Sequence, residues 1–138
     1  MAVVLVCENW QYTGNQIGEE ADKDNHAVVV LAKDYDKHFV FDNIELVVRE
    51  IQPDYMIIDH SDDNCFEIID RAKKVKPGLI AIVHSTHLYL SEEAARRKIP
   101  FYRKHSFQEL DNMFLYILEN EQSRKMAQGR IELPAFAL

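Results

Sequence analysis

The sequence predicts a doubly wound α/β domain, with five parallel strands and helices on both faces of the sheet. Five short apolar runs alternate along the chain with polar segments, several of which have helical periodicity. The runs are continuously apolar rather than alternating, which is typical of parallel strands buried on both faces. The predicted strands are 3–7, 27–32, 55–58, 79–83 and 100–103.

Helices are predicted between these strands from apolar stripes and from capping residues. The predicted helices are about 16–23, 43–52, 65–75, 91–98 and 107–126. The first is the weakest, because apolar residues are sparse throughout 9–26. Asp42 or Asn43 is the expected cap of the second helix and Ser91 of the fourth, and Ser106 with Glu109 forms a capping-box pattern before the last. A charged loop is expected at 33–37.

Length and composition indicate one acidic, reduced domain. The 138 residues suit a single domain, predicted at 1–128 and followed by an apolar tail at 129–138. A net charge of -7 argues against nucleic acid as a partner. No apolar run approaches the roughly 20 residues of a membrane span. There is no signal-peptide pattern, and the cysteines, Cys7 and Cys65, make no disulfide framework. We therefore expect a cytoplasmic protein with reduced thiols.

Four residues that can carry chemistry lie at or just past the ends of predicted strands. They are Glu8, Asp59, Ser85 and Lys104. In an open parallel sheet, the carboxyl ends of the strands meet at one crevice, so these side chains should lie together. Two carboxylates in one crevice repel each other unless a cation lies between them. Carboxylates suit Mg²⁺, while an amine and a hydroxyl suit a phosphoryl group.

Three segments carry a resemblance to a known family. They are 53–59, 80–86 and 101–110, the last of which reads FYRKHSFQEL. Together they resemble the response-regulator receiver domain, a CheY-like and flavodoxin-like fold whose strand order is 2-1-3-4-5.

The resemblance also implies roles for individual residues. Asp59 would accept a phosphoryl group, and Glu8, Asp59 and the carbonyl of Ser61 would bind Mg²⁺. Lys104 would contact the phosphate, Ser85 would be the switch hydroxyl and Phe101 the switch aromatic. The implied function is that of a stand-alone signalling domain in a two-component phosphorelay. It would receive its phosphoryl group from a histidine kinase or bind other signalling proteins, as a phosphoacceptor and not a turnover enzyme.

Two other functions remain open. Glu8 is followed by Asn9 where the family has an acidic pair, and His105 stands where the family has proline. These departures favour a pseudo-receiver, an interaction module that works without phosphorylation. The segment 12–16 resembles the phosphate loop of FMN-binding flavodoxins, although a Gly-Asn turn is the simpler interpretation. A transition-metal site is not favoured, because the histidines lack helical metal-ligand spacing.

The last helix predicts an interface. Its expected core stripe consists of Phe107, Leu110, Phe114 and Ile117, yet residues 113–118 are apolar on every side. Leu115 and Tyr116 should therefore project away from the core. Together with residues 88–90 they predict a homodimer face formed by helices four and five.

Overall fold

Five parallel strands form one sheet in the order β2-β1-β3-β4-β5. The computed structural model describes residues 2–32, 42–60 and 64–129. The predicted fold class and strand order are confirmed. The strands are β1 (Val3–Glu8), β2 (Ala27–Ala32), β3 (Tyr55–Ile58), β4 (Ile80–Ser85) and β5 (Phe101–Arg103). Glu8 and Ser85 are thus the last residues of their strands, whereas we had expected Glu8 to follow one.

Five helices in the described part of the chain connect and cover the strands. They are α1 (Gln11–Lys23), α2 (Ile44–Ile51), α3 (Cys65–Val75), α4 (Leu90–Arg96) and α5 (Phe107–Ala127). The Ser106 hydroxyl accepts a hydrogen bond from the Glu109 amide at 3.2 Å, which confirms the predicted cap of α5. Ser91 is not the cap of α4, because that helix already begins at Leu90.

The sheet is covered on both faces by separate apolar cores. One core packs α2, α3 and α4 against alternate sheet residues such as Leu5 and Met56. The other packs α1 and α5 against the intervening residues, such as Val6 and Ile57. Every residue of β3 is buried, as its continuous apolar run predicts.

Helix α1 is longer than the sequence pattern indicates. It starts at Gln11, and both its glycines face the sheet. A Cβ atom on Gly14 would lie 2.8 Å from Val30 Cγ1, and one on Gly18 would lie 3.1 Å from Val30 Cγ2. The glycines therefore allow α1 to approach β2 closely. The Gly-Asn turn expected at 12–16 is wrong, because these residues are helical.

Helix α5 packs against the core through the predicted Leu110, Phe114 and Ile117, but not through Phe107. Met113, Phe114 and Ile117 are buried in the core. Phe107 is 85% exposed, so its assignment to the core was wrong. Tyr116 packs partly buried against the core instead of projecting outward, whereas Leu115 is 51% exposed as expected.

Some predictions fall outside the described residues. The charged loop at 33–37 and most of the tail at 129–138 lie there, so the division into a domain and a tail stays a prediction. Among the helices described above, none is both long enough and apolar enough to cross a membrane. Cys7 and Cys65 are free and buried.

Candidate functional site

The carboxyl ends of β1, β3 and β5 bring three charged side chains into contact. Glu8 ends β1, Asp59 directly follows β3, and Lys104 directly follows β5. The Asp59 amide donates to the Cys7 carbonyl at 3.0 Å, and the Lys104 amide donates to the Ser85 carbonyl at 3.1 Å. These bonds continue the ladder of the sheet beyond the strands. The backbone at both positions is therefore fixed by the sheet itself.

Lys104 bridges the two carboxylates. Its Nζ atom lies 2.6 Å from Asp59 Oδ2 and also contacts Glu8 Oε1. All three side chains are buried, with Asp59 8% and Lys104 6% exposed. The predicted convergence of Glu8, Asp59 and Lys104 is therefore present in the structure.

Hydrogen bonds complete the shell around the carboxylates. The Asn9 side-chain amide donates to Asp59 Oδ2 at 2.6 Å, and the His60 backbone amide donates to Asp59 Oδ1 at 2.8 Å. The Asn9 backbone amide donates to Glu8 Oε1 at 3.1 Å. We did not predict a role for Asn9. The sequence did indicate such a role, because Asn9 directly follows Glu8, the last residue of β1.

The electrostatics of the site make Glu8 unusually basic for a carboxylate. Burial, together with the nearby Asp59 charge, raises the pKa of Glu8 to about 7, while Lys104 opposes this shift. Burial also raises the pKa of the Cys7 and Cys65 thiols to about 12. Both cysteines therefore remain protonated and are poor nucleophiles at neutral pH.

An open pocket of about 480 Å³ gives access to Asp59 and Lys104. Its walls come from the segments that follow β1, β3, β4 and β5. They are formed by Asn9, Trp10, Tyr12, Thr13, Asp59, His60, Thr86, His87, Lys104 and His105. Asp59 is thus the carboxylate that a molecule entering from solvent would meet.

The predicted switch residues lie beside this pocket but do not line it. Ser85 is fully buried, and its hydroxyl accepts a hydrogen bond from the His87 amide at 3.1 Å. Thr86, which we did not single out, provides a hydroxyl-bearing side chain to the pocket wall just after β4. Phe101 is partly buried against the α2–α4 core. Ser61 lies outside the described residues.

The residue that follows Lys104 has an unusual backbone conformation. The next residue, His105, has a φ of 60°, in the left-handed region, and the described residues contain no cis peptide bond. Histidine is among the few non-glycine residues enriched in this region.

The donor set fits a weakly held Mg²⁺ ion. Mg²⁺ commonly uses one or two carboxylates and completes its shell with water and phosphate oxygens. Glu8 and Asp59 supply two adjacent carboxylates, and nothing in the described part of the chain supplies a third. Within residues 2–32, 42–60 and 64–129 there is no group of three or more His, Cys, Asp or Glu residues that could hold a metal ion.

The structure disfavours a flavin phosphate site at 12–16. The Gly14 amide donates to the Trp10 carbonyl at 2.9 Å inside α1, so it is not available to a phosphate. The side of Gly14 that lacks a Cβ faces Val30.

Solved structures resemble this architecture over most of its length. A CheY-like receiver domain protein from Methanospirillum hungatei JF-1 superposes with a TM-score of 0.68 at 15% identity, covering 91% of this chain and 98% of that one. The chain has the receiver fold. A receiver domain protein from Clostridium thermocellum gives a TM-score of 0.69 at 16% identity, covering 92% and 99%. The non-phosphorylated HemR receiver domain from Leptospira biflexa gives 0.65 at 18% identity, covering 87% and 93%.

Sequence comparisons give no such match. No protein-family model matches the chain, and no curated protein matches it significantly. The receiver fold is thus present in a sequence that is only 15–18% identical to these structural neighbours. The site has to be interpreted from its own residues.

Proposed function

We propose that this chain is a signalling domain that accepts a phosphoryl group on Asp59. One observation carries the proposal: the Lys104 ammonium lies 2.6 Å from Asp59 Oδ2 at the base of an open pocket. A carboxylate that is both accessible and paired with a buried amine is suited to nucleophilic attack on phosphorus, because the amine offsets the charge that the phosphoryl group brings. The receiver fold supports a signalling role.

The donor would be a phosphohistidine of a kinase. The phosphorus–nitrogen bond to that histidine breaks as a phosphorus–oxygen bond to an Asp59 carboxylate oxygen forms. Lys104 would stay with the new phosphoryl oxygens, and the Thr86 side chain borders the space they would occupy. Mg²⁺ at Glu8 and Asp59, when bound, would neutralise the transferring group, and the predicted carbonyl ligand of Ser61 belongs to the same proposal.

A second function is favoured by the hydrogen bonds of Asp59 itself. Asp59 Oδ2 already has two donors, Lys104 and Asn9, and no other carboxylate is found among the described residues that line the pocket. A site satisfied in this way is stable without phosphate or metal. The alternative is therefore a pseudo-receiver that binds partner proteins independently of phosphorylation.

Incubation with acetyl phosphate and Mg²⁺, followed by measurement of the intact mass, distinguishes the two functions. We expect the mass of one phosphoryl group on the wild type and on Asp22→Asn, a control at an exposed carboxylate of α1. We expect none on Asp59→Asn. Beryllofluoride with Mg²⁺ should shift the amide resonances of His60 and Lys104. A wild type without adduct and without shifts would refute phosphorylation and leave the pseudo-receiver.

Self-association through α4 and α5 is a further proposal about partners. Leu115 and Leu118 on α5 are exposed, as are Leu88 and Tyr89 before α4, whereas Leu90 is buried. The predicted homodimer face therefore loses Leu90 and Tyr116 but keeps an apolar surface. Burial of a side chain of this size contributes about 1.5–3 kcal/mol, so a few per subunit would support a dimer.

A further inference from the structure

A second cleft, outside the phosphoacceptor pocket, lies between α1 and the start of α5. It has a volume of about 310 Å³ and is lined by Tyr12, Thr13, Gln16, Ile17, His84, His105, Ser106, Phe107 and Leu110. Concave sites for small molecules begin at about this size and combine apolar walls with a few polar groups.

The cleft has a neutral lining. None of its nine lining residues is an aspartate, glutamate, lysine or arginine. His84, the one histidine that reaches it from the sheet, is uncharged at neutral pH, because burial and the Lys104 charge lower its pKa to about 3. A charged ligand would find no counter-ion here. The lining therefore favours an uncharged molecule.

His84 also supplies an unused polar group. The side chain is 4% exposed, and its Nδ1 atom is buried with no hydrogen-bond partner. Buried polar atoms are nearly always paired, because an unpaired one has given up its hydrogen bonds to water without replacing them. A neutral imidazole has one donor and one acceptor nitrogen, and the tautomer decides which of the two nitrogens is the acceptor. The ring can thus offer an acceptor to a ligand that carries an N–H group.

The rim of the cleft is aromatic. Tyr12 and Phe107 line it and are 74% and 85% exposed. Two large exposed aromatic side chains at one opening can pack on the edge or face of a flat ring. Ile17 and Leu110 provide apolar surface on the α1 and α5 sides.

We propose that the cleft between α1 and α5 binds a small, uncharged heteroaromatic molecule whose N–H group donates a hydrogen bond to the His84 ring. Binding of a ligand in this cleft does not require phosphotransfer at Asp59. The two sites share the walls Tyr12, Thr13 and His105, so an occupant would also change the shape of the Asp59 pocket.

Indole is a suitable probe, and indene is its matched control, because it has the same bicyclic shape without the N–H group. Titration into ¹⁵N-labelled protein should give saturable amide shifts at Thr13, Gln16 and Phe107 with indole. Indene should bind at least several-fold more weakly. These shifts require neither Mg²⁺ nor a phosphodonor.

Three variants test the assignment. His84→Phe keeps an aromatic ring but removes both nitrogens, and it should abolish the preference for indole over indene. Phe107→Ala should weaken indole binding several-fold. Tyr89→Ala, at another exposed aromatic side chain that does not line the cleft, should leave binding unchanged.

Two results would overturn the proposal. The first is an absence of saturable shifts at the cleft with indole in the folded wild type. The second is equal binding of indole and indene, which would show that His84 does not take part. If His84→Phe fails to fold, the wild-type comparison of the two probes with the Phe107 and Tyr89 variants still decides the matter.

Discussion

Replacement of Lys104 by methionine should show how much of the protein's stability depends on this single buried amine. Methionine has a similar length but no charge, so Glu8 and Asp59 would be left buried without the ammonium that bridges them. Removal of one partner from a buried ion pair typically costs about 3–5 kcal/mol of unfolding free energy. We expect a loss of that order at pH 8 in the absence of Mg²⁺.

The pH dependence gives the sharper signature. In the wild type, the folded-state pKa of Glu8 is about 7, above its ordinary value of 4.5. The corresponding stabilisation is complete below pH 4.5 and is lost as the pH rises towards 7 and through it. Without Lys104, which lowers this pKa, Glu8 should hold its proton to higher pH. The fall in stability should then extend above neutrality and be larger in total, while its slope stays limited to one proton per group.

Urea unfolding between pH 5 and pH 9 measures both effects. Lys74→Met, at an exposed lysine of α3, is the matched control and should follow the wild type at every pH. If Lys104→Met shows the wild-type stability and the same pH profile, the amine does not neutralise the two carboxylates in solution, and the electrostatic account of the site fails.

Other predictions concern single positions. Glu8→Gln should flatten the loss of stability between pH 4.5 and 7 seen by urea unfolding, and an unchanged slope would assign that titration to another group. Gly14→Ala should lower the free energy of unfolding by about 1–3 kcal/mol, because its Cβ would clash with Val30, whereas Gly78→Ala meets open space and should be neutral or slightly stabilising in the same assay. Leu115→Glu should make the protein monomeric in sedimentation equilibrium. A wild type that is already monomeric at a protein concentration of ~10⁻⁵ M would contradict the proposed homodimer.

The sheet was predictable from the apolar runs, and most of the site was predictable from the polar residues where those runs end. A continuous apolar run identifies a strand buried on two faces, and polar residues where it ends must lie at the same edge of a parallel sheet. Glu8, Asp59 and Lys104 satisfy this rule. The backbone of Ser85 also lies at this edge. Its hydroxyl, however, accepts a hydrogen bond from the His87 amide, and Ser85 does not line the pocket.

The errors arose where the local pattern does not determine the packing. Helix α1 was predicted too short because its inward face includes Gly14 and Gly18, which have no apolar side chain to count. Residues 113–118 are apolar all round, so periodicity alone could not tell which face is buried. The predicted stripe was right at Leu110, Phe114 and Ile117, but it included the exposed Phe107 and left out the buried Met113.

The left-handed conformation of His105 restricts how this chain could acquire a more typical receiver sequence. Proline, which the resembled family carries at this position, fixes φ near −65° and is incompatible with the observed 60°. A proline here could enter only together with a rearranged turn after β5, and that turn also carries Lys104. Asparagine or glycine could enter without such a change. The turn that follows Lys104 therefore tolerates asparagine or glycine at position 105, but not proline as a single substitution.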